Sequence, residues 1–132
     1  MAHKGDDIAD RLLALAAFVL RLLPRLETKR EARNLARQLE RCATSGGANY
    51  EEARGAESTA DFIHKLRVAL KEVRETRYWL KLALKANLVH DPPSVEQTIR
   101  ETDALIAILI ASCRTARRNA RPARTGNEKP QF

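Results

Sequence analysis

Residues 58–93 read STADFIHKLRVALKEVRETRYWLKLALKANLVHDPP, and this stretch decides the fold. Ser58 and Asp61 have the spacing of a helix start, because a serine oxygen can accept the backbone N–H three residues later. Apolar residues then recur every three or four positions to about Val89, which is the period of an amphipathic α-helix. The pair Pro92-Pro93 stops this pattern. The stretch therefore predicts one long helix, the third of the chain.

The helix before it is marked by a capping box and by an unbroken apolar stripe. Thr28 and Glu31 have the capping-box spacing and predict the first turn of this second helix. The stripe comprises Ala32, Leu35, Ala36, Leu39, Cys42, Ala43, Gly46, Tyr50 and Ala53. Because it keeps phase through Gly46 and Gly47, we expect the helix to continue to about Arg54 despite two weak helix formers. The small residues there should let another helix approach closely.

The two outer helices are defined by prolines and by polar residues at their ends. The first helix begins at Asp6 or Asp7 and is expected to end just before Pro24, since the residue before a proline disfavours the helical conformation. The fourth helix opens at Ser94 and ends near Arg118, among cations that suit a helix C-terminus.

These elements predict one all-α domain followed by a tail. Four helices joined by short connections favour an antiparallel up-down-up-down four-helix bundle, which we assign to residues 1–118. Residues 119–132 contain Pro122, Gly126 and Pro130 and are expected to form a disordered basic tail. The chain carries a net charge of +7, of which residues 114–132 supply +5.

Length and charge exclude a membrane protein and an exported one. The longest uncharged apolar stretch near the start runs from Leu12 to Leu20, which is too short to span a bilayer. Acidic residues precede it, where a signal peptide would carry positive charge. The two cysteines, Cys42 and Cys113, cannot form a disulfide framework and are expected to fill the core. We therefore predict a cytoplasmic protein that does not contact a membrane.

Few residues in the chain have the spacing that enzyme chemistry requires. Asp61 and His64 have the i, i+3 spacing of di-metal bundles, but such a site needs two pairs of this kind. Glu72 and Glu75 could act as paired carboxylates, although the pattern is typical of ordinary ion pairing on a helix face. The sequence lacks a Gly-rich phosphate loop and a nucleophile elbow. We therefore predict no catalytic, metal-binding or cofactor-binding residues, and a protein that is not an enzyme.

The charge pattern of two helices favours a nucleic-acid binder. On the third helix, one face within an arc of about 80° carries five cations and an aromatic residue: Arg67, Lys71, Arg74, Tyr78, Lys81 and Lys85. The second helix has a similar face opposite its apolar stripe: Arg30, Arg33, Arg37 and Arg41. Arginine suits bidentate contacts to phosphate, and an exposed aromatic ring can stack on an unpaired base. These ten residues are our candidate nucleic-acid interface, with RNA favoured; ordinary solvated surfaces remain the alternative.

Surplus apolar surface predicts a homo-oligomer. The first helix places leucines around most of its circumference, and the apolar arc of the fourth covers roughly 200°, more than one bundle core requires. Such a surplus in a globular protein usually faces another subunit. On the third helix, a strip beside the cations forms the candidate subunit interface: Val68, Trp79, Leu82 and Ala86.

Three segments carry a family resemblance: SGGANYEEA over residues 45–53, STADFIHK over 58–65 and KEVRETRYWL over 71–80. They resemble the four-helix-bundle proteins encoded by intervening sequences of bacterial 23S ribosomal RNA genes. This superfamily includes the accessory variability proteins of diversity-generating retroelements. Many intervening-sequence proteins have a glycine where this chain has Ala53, and this difference favours the accessory branch. The resemblance covers about residues 6–118 and implies a ring of five subunits. For the accessory branch it implies binding of nucleic acid and of a reverse transcriptase.

The resemblance also assigns a signature to particular residues. Asn49 and Glu52 match an Asn-x-x-Glu signature, and a second set matches the family pattern on the third helix: Phe62, Lys71, Glu72, Glu75 and Trp79. We expect the signature to be structural, because an amide and a carboxylate one turn apart can bond neighbouring helix backbones or a lysine such as Lys65 or Lys71. A purely protein-interaction scaffold remains the alternative to a nucleic-acid binder.

Overall fold

The structure is a computed structural model that describes residue 3 and residues 5–120. It contains four α-helices and one short 3₁₀ turn: α1 Asp6–Leu26, the turn Arg30–Ala32, α2 Arg33–Arg54, α3 Thr59–Lys85 and α4 Pro92–Ala120. These residues include no β-strand, which confirms the predicted all-α fold. None of these helices is long and apolar enough to cross a membrane. The predicted tail lies outside the described residues from position 121 onward, and α4 continues past the predicted end at Arg118.

Two apolar clusters show that successive helices run antiparallel. One cluster joins the end of α1, the start of α2, the end of α3 and the start of α4, through Leu23, Leu35, Leu80 and Val95. The other joins the four opposite ends, through Leu12, Tyr50, Leu66 and Leu109. Each helix packs mainly on its neighbours in sequence, whereas α1 and α4 touch little. The Arg11 guanidinium spans this open seam, donating to both carboxylate oxygens of Glu101 at 2.9 and 2.6 Å, and lowers the pKa of that carboxyl.

The first helix extends beyond its predicted end. Pro24 lies inside the last turn of α1, and the helix continues to Leu26, which is fully buried. Burying a leucine side chain contributes about 1.5–3 kcal/mol, which is comparable to what a proline costs in a helix. The prediction that α1 stops before Pro24 is therefore wrong, because burial of Leu26 offsets the hydrogen bond that the proline removes.

The predicted capping box at the second helix is also wrong. The Thr28 hydroxyl donates to the Arg25 carbonyl oxygen at 2.9 Å, so it closes the end of α1 instead of capping α2. The helix proper begins at Arg33, after the 3₁₀ turn. Its predicted continuation to Arg54, with Gly55 at the end, is confirmed.

The start of α3 is confirmed, whereas two other boundaries shift. The Ser58 hydroxyl oxygen accepts the Asp61 backbone N–H at 3.1 Å, as the spacing predicts. The helix ends at Lys85, because Asn87 adopts a left-handed conformation with φ of 58° that reverses the chain. The fourth helix begins at Pro92 and not at Ser94, since a proline in the first turn loses no helical hydrogen bond.

Gly46 and Gly47 let α2 approach two helices at once, as their small size predicts. A Cβ atom at Gly46 would lie 3.3 Å from Cγ2 of Val73 on α3. A Cβ atom at Gly47 would lie 3.5 Å from the Cβ of Leu12 on α1. The first distance is tighter than an ordinary contact, whereas the second is ordinary. The close packing of α2 on α3 therefore depends on a glycine at position 46.

Candidate nucleic-acid interface

A groove between α3 and α4 gathers five basic side chains. It has a volume of about 390 Å³. Its walls carry Arg67, Lys71 and Arg74 from α3, with Arg114 and Arg117 from α4. Its floor is apolar and comprises Leu70, Ile110 and Cys113. We call this feature the basic groove.

The antiparallel packing explains why these cations meet. Arg67, Lys71 and Arg74 follow i, i+4, i+7 spacing, so they share one face of α3 over about 10 Å of helix. Arg114 and Arg117 are three residues apart and share a face near the end of α4. Because α4 runs antiparallel to α3, its end lies beside the first half of α3. The two sets of side chains therefore face the same groove.

The charges of the basic groove have no acidic partner within residues 3 and 5–120. The eight ion pairs of this part of the chain involve none of the five side chains, and no hydrogen bond engages them. The next arginine along α3 behaves differently, since Arg77 pairs with Asp103 of α4 at 2.9 Å. Uncompensated cations in a cleft raise the local concentration of anions. The groove is therefore suited to an anionic ligand.

The structure divides the predicted cationic face of α3. Three of its cations line the basic groove, whereas Lys81 and Lys85 lie further along the helix, beyond the Arg77–Asp103 pair. Both of these lysines are exposed. Tyr78 lies between the two sets and is 58% exposed. Its ring meets that of Trp79 edge to face, with centroids 5.0 Å apart and an interplanar angle of 78°.

The predicted arginine face of α2 is only partly available to a ligand. Arg30 lies in the 3₁₀ turn before α2 and not on the helix, as was predicted for it. Arg30, Arg33 and Arg37 are all exposed and form no ion pair with any residue that the structure describes. Arg41 differs from the prediction, because its guanidinium pairs with two carboxylates of α3. Its charge is already compensated, so we remove Arg41 from the candidate nucleic-acid interface.

A polar network connects α2 to α3 through Arg41. The Arg41 Nη1 donates to the buried Glu72 at 3.1 Å, and Nη2 donates to Glu75. Glu75 also accepts the indole N–H of Trp79 at 3.2 Å. A buried carboxylate is tolerated only with such partners. The two carboxylates that could have formed an acid–base pair therefore join helices and orient Trp79.

The predicted subunit-interface strip is partly covered inside one protomer. Trp79 is half-buried and packs against the core, and Val68 is also half-buried. Leu82, which is 37% exposed, and Ala86 face solvent. Among the described residues, the large apolar side chain with the highest exposed fraction is instead on α1, where Leu13 is 69% exposed and shares its face with Leu20 at 48%. The apolar arc of α4 is largely absorbed by the core.

The two signature residues of α2 make structural contacts. The Asn49 amide donates to the carbonyl oxygen and to Oγ of Ser45, at 2.9 and 3.0 Å. The amide thus bonds its own helix, so the expected bond to a neighbouring helix is wrong for Asn49. Glu52 accepts from Lys65 of α3 at 3.3 Å, which is one of the two predicted lysine partners. Phe62 packs against the core cluster at the same end of the bundle.

Both cysteines are buried, as expected for core residues. Burial raises the pKa of the Cys42 thiol to about 11, so this thiol is protonated near neutral pH and is a poor nucleophile. Burial also raises the pKa of Cys113, although Arg117 and Arg67 act in the opposite direction. In the part of the chain that is described, no three His, Cys, Asp or Glu side chains converge closely enough to hold a metal ion.

Sequence reasoning missed Arg114 and Arg117 as members of the site. It explained the cations near the end of α4 by the helix dipole, which accounts for their position along the axis but not for the face they occupy. Their i, i+3 spacing beside Ile110 was the available signal. Antiparallel helix order would then have placed this face next to the start of α3.

The fold and the groove define a small antiparallel four-helix bundle with an uncompensated basic cleft. The sequence model of the 23S rRNA-intervening sequence protein family matches residues 7–111, and the chain belongs to this family. This match confirms the resemblance to the 23S rRNA intervening-sequence proteins, whereas the link to the accessory proteins of retroelements stays a prediction. Arg114 and Arg117 lie just beyond the matched range.

A solved structure supports the same assignment. It is a protein of unknown function from the S23 ribosomal protein family of Bacteroides thetaiotaomicron. The two chains are 33% identical, and the match covers 80% of this chain and 97% of the other with a TM-score of 0.74. No curated protein matches this chain.

Proposed function

We propose that this protein is a non-enzymatic, homo-oligomeric bundle of the cytoplasm that binds nucleic acid, with RNA favoured. The observation that carries the proposal is the basic groove, in which five cations from two helices lie together without a carboxylate partner among the described residues. Four of the five are arginines, whose planar guanidinium groups match phosphate oxygens bidentately. The family takes its name from intervening sequences in 23S rRNA genes, which adds support for RNA.

The shape and charge of the groove favour a polymer over a small anion. The α3 cations alone extend over about 10 Å of helix, so one phosphate cannot contact all of them. A chain of phosphates can neutralise several cations at once and release their counterions. The apolar floor around Leu70 and Ile110 offers contact to sugars and base faces. These features together describe a polyanion that also carries apolar surface.

The carboxylates support a binding role over a catalytic one. Glu72 and Glu75, the candidate acid–base pair, are committed to Arg41 and Trp79. Because their oxygens already accept these hydrogen bonds, the two side chains are engaged within the protomer and do not point to a substrate. We therefore propose an accessory role beside a nucleic-acid enzyme, such as a reverse transcriptase, which would supply the chemistry.

The salt dependence of binding tests the proposed function. We expect the protein to bind a short RNA strand with log K falling against log salt with a slope of about −3.5, because five phosphate contacts are neutralised. Filter binding at roughly 50 and 200 mM salt should then show about a hundredfold loss of affinity. Failure to bind RNA or DNA at the lower salt concentration would contradict the proposal and favour a protein-interaction scaffold.

A protein scaffold is the second candidate, and the exposed face of α1 favours it. Leu13 and Leu20 present apolar surface seven residues apart on one side of the helix. The same surface supports assembly of identical subunits, which we propose as a ring of five on the strength of the family resemblance. Self-association and scaffolding are compatible, because a ring offers several copies of any binding surface.

Light scattering tests the assembly. At micromolar concentration we expect a mass several times the 14.9 kDa of one chain. Changing Leu13→Glu together with Leu20→Glu should give monomers with unchanged helical content, because both side chains are exposed in the protomer. A wild-type mass of one chain at every concentration would refute assembly.

A further inference from the structure

We propose that the binding site takes a single strand with unpaired bases, whose backbone lies in the basic groove while one base stacks on Tyr78. This inference rests on the proposed function, and it names the class of nucleic acid. It follows from the width of the groove, from the ion pair that closes one end of it and from the way the Tyr78 ring is held.

The width of the basic groove favours one strand over two. The groove lies between packed helices, and the axes of packed helices are about 8–10 Å apart. A duplex is more than about 16 Å across, since its two grooves are about 8.5 and 7.5 Å deep on opposite sides of the base pair, so it is too broad to enter. A single sugar–phosphate strand is narrow enough to lie along the cleft over α3 and α4. Arg74 and Arg114, which stand on opposite walls, can then contact it from both sides.

One end of the groove is closed by an ion pair. Arg77 of α3 and Asp103 of α4 join across it at 2.9 Å. A strand that enters past Arg117 and Arg67 must therefore rise out of the groove near Arg74. Tyr78 lies one turn after Arg74 on the same face of α3, where its ring is 58% exposed. The strand thus leaves the groove over an aromatic ring.

The Tyr78 ring is held by Trp79 and is still 58% exposed. Trp79 meets it edge to face at 5.0 Å, and the Trp79 indole is itself fixed by the hydrogen bond to Glu75. Arg41 of α2 holds Glu75 in turn. Stacking a base on a ring that is already oriented costs less conformational entropy than stacking on a free one. A duplex gains nothing here, because its base faces are already covered.

Trp79 provides a reporter for this stacking. It is the single tryptophan of the chain, and it touches Tyr78. The residues that line the basic groove do not include it. A change in tryptophan fluorescence therefore reports on events at the Tyr78 ring and not on phosphate binding in the groove.

The experiment compares three probes and two variants. The probes are a roughly ten-nucleotide RNA strand, the same strand annealed to its complement, and inorganic polyphosphate of similar charge. Tyr78→Ala should weaken binding of the single strand by about tenfold to a hundredfold, the range measured when a stacking residue is removed. Tyr78→Phe is the matched control and should bind like wild type, because it keeps the ring. Polyphosphate binding should be unchanged in both variants, and only the single strand should alter the Trp79 fluorescence.

The possible failures are distinguishable. If Tyr78→Ala binds the single strand as tightly as wild type, or if the duplex binds as tightly as the single strand, the single-strand inference is overturned. Nucleic-acid binding in the groove would still stand. If none of the three probes binds at low salt, the proposed function fails together with the inference.

Discussion

Reversing the charge of both α4 arginines, Arg114→Glu with Arg117→Glu, is expected to lower the affinity for single-stranded RNA by about a hundredfold at roughly 50 mM salt. Both side chains line the basic groove and have no ion-pair partner in residues 5–120, so the change removes two phosphate contacts and adds repulsion. The slope of log K against log salt should become shallower, from about −3.5 to about −2, because three contacts remain. Filter binding over a series of salt concentrations measures both quantities.

A matched control separates site-specific binding from net charge. Arg21→Glu with Arg25→Glu makes the same change in charge on exposed side chains of α1, away from the basic groove. We expect this variant to bind within about threefold of wild type, since exposed charges beyond a Debye length are largely screened. Within α3, Arg74→Glu should cost more affinity than Lys81→Glu, because only Arg74 lines the groove. Equal losses in the paired variants would argue against the groove as the binding site.

Replacing Gly46 by leucine is expected to destabilise the bundle by about 3 kcal/mol or more. The Cβ atom alone would lie 3.3 Å from Val73, which is 1% exposed and cannot move aside. The rest of the side chain would push α3 away from α2 and disturb the neighbouring Glu72. Urea unfolding followed by circular dichroism gives the free energy of unfolding for each variant.

The adjacent glycine provides the control for this experiment. At position 47 an added Cβ atom meets Leu12 at 3.5 Å, an ordinary contact. Gly47→Ala should therefore stabilise the protein by about 0.5–1 kcal/mol, because alanine is the better helix former. A Gly46→Leu variant within about 1 kcal/mol of wild type would show that α2 and α3 are not packed as closely as described.

Periodicity predicted the helices well, because each helix reveals its apolar stripe within its own sequence. The capping of α3 by Ser58 could be predicted for the same reason, since donor and acceptor are only three residues apart. The end of α1 and the start of α2 could not be predicted. There the burial of Leu26 depends on how α1 packs against the rest of the bundle, and this outweighs the local effects of Pro24 and Thr28.

The site was predictable only where it lies on a single helix. The α3 cations share a face that a helical projection shows directly. The contribution of α4 depends on the rotation of two helices about their axes, which tertiary packing fixes and spacing alone does not. The role of Arg41 was hidden for the same reason, because its carboxylate partners are more than 30 residues away in sequence.

The even number of helices also determines where the remaining sequence is attached. An up-down-up-down chain returns to the end at which it began, and α4 reaches Ala120 within one turn of Arg117. The start of α1 and the end of α4 therefore lie at the end of the bundle toward which Arg67 and Arg117 line the groove. The cations of the groove give this end a positive potential. We expect that potential to speed the capture of an approaching strand more than it changes how long the strand stays bound.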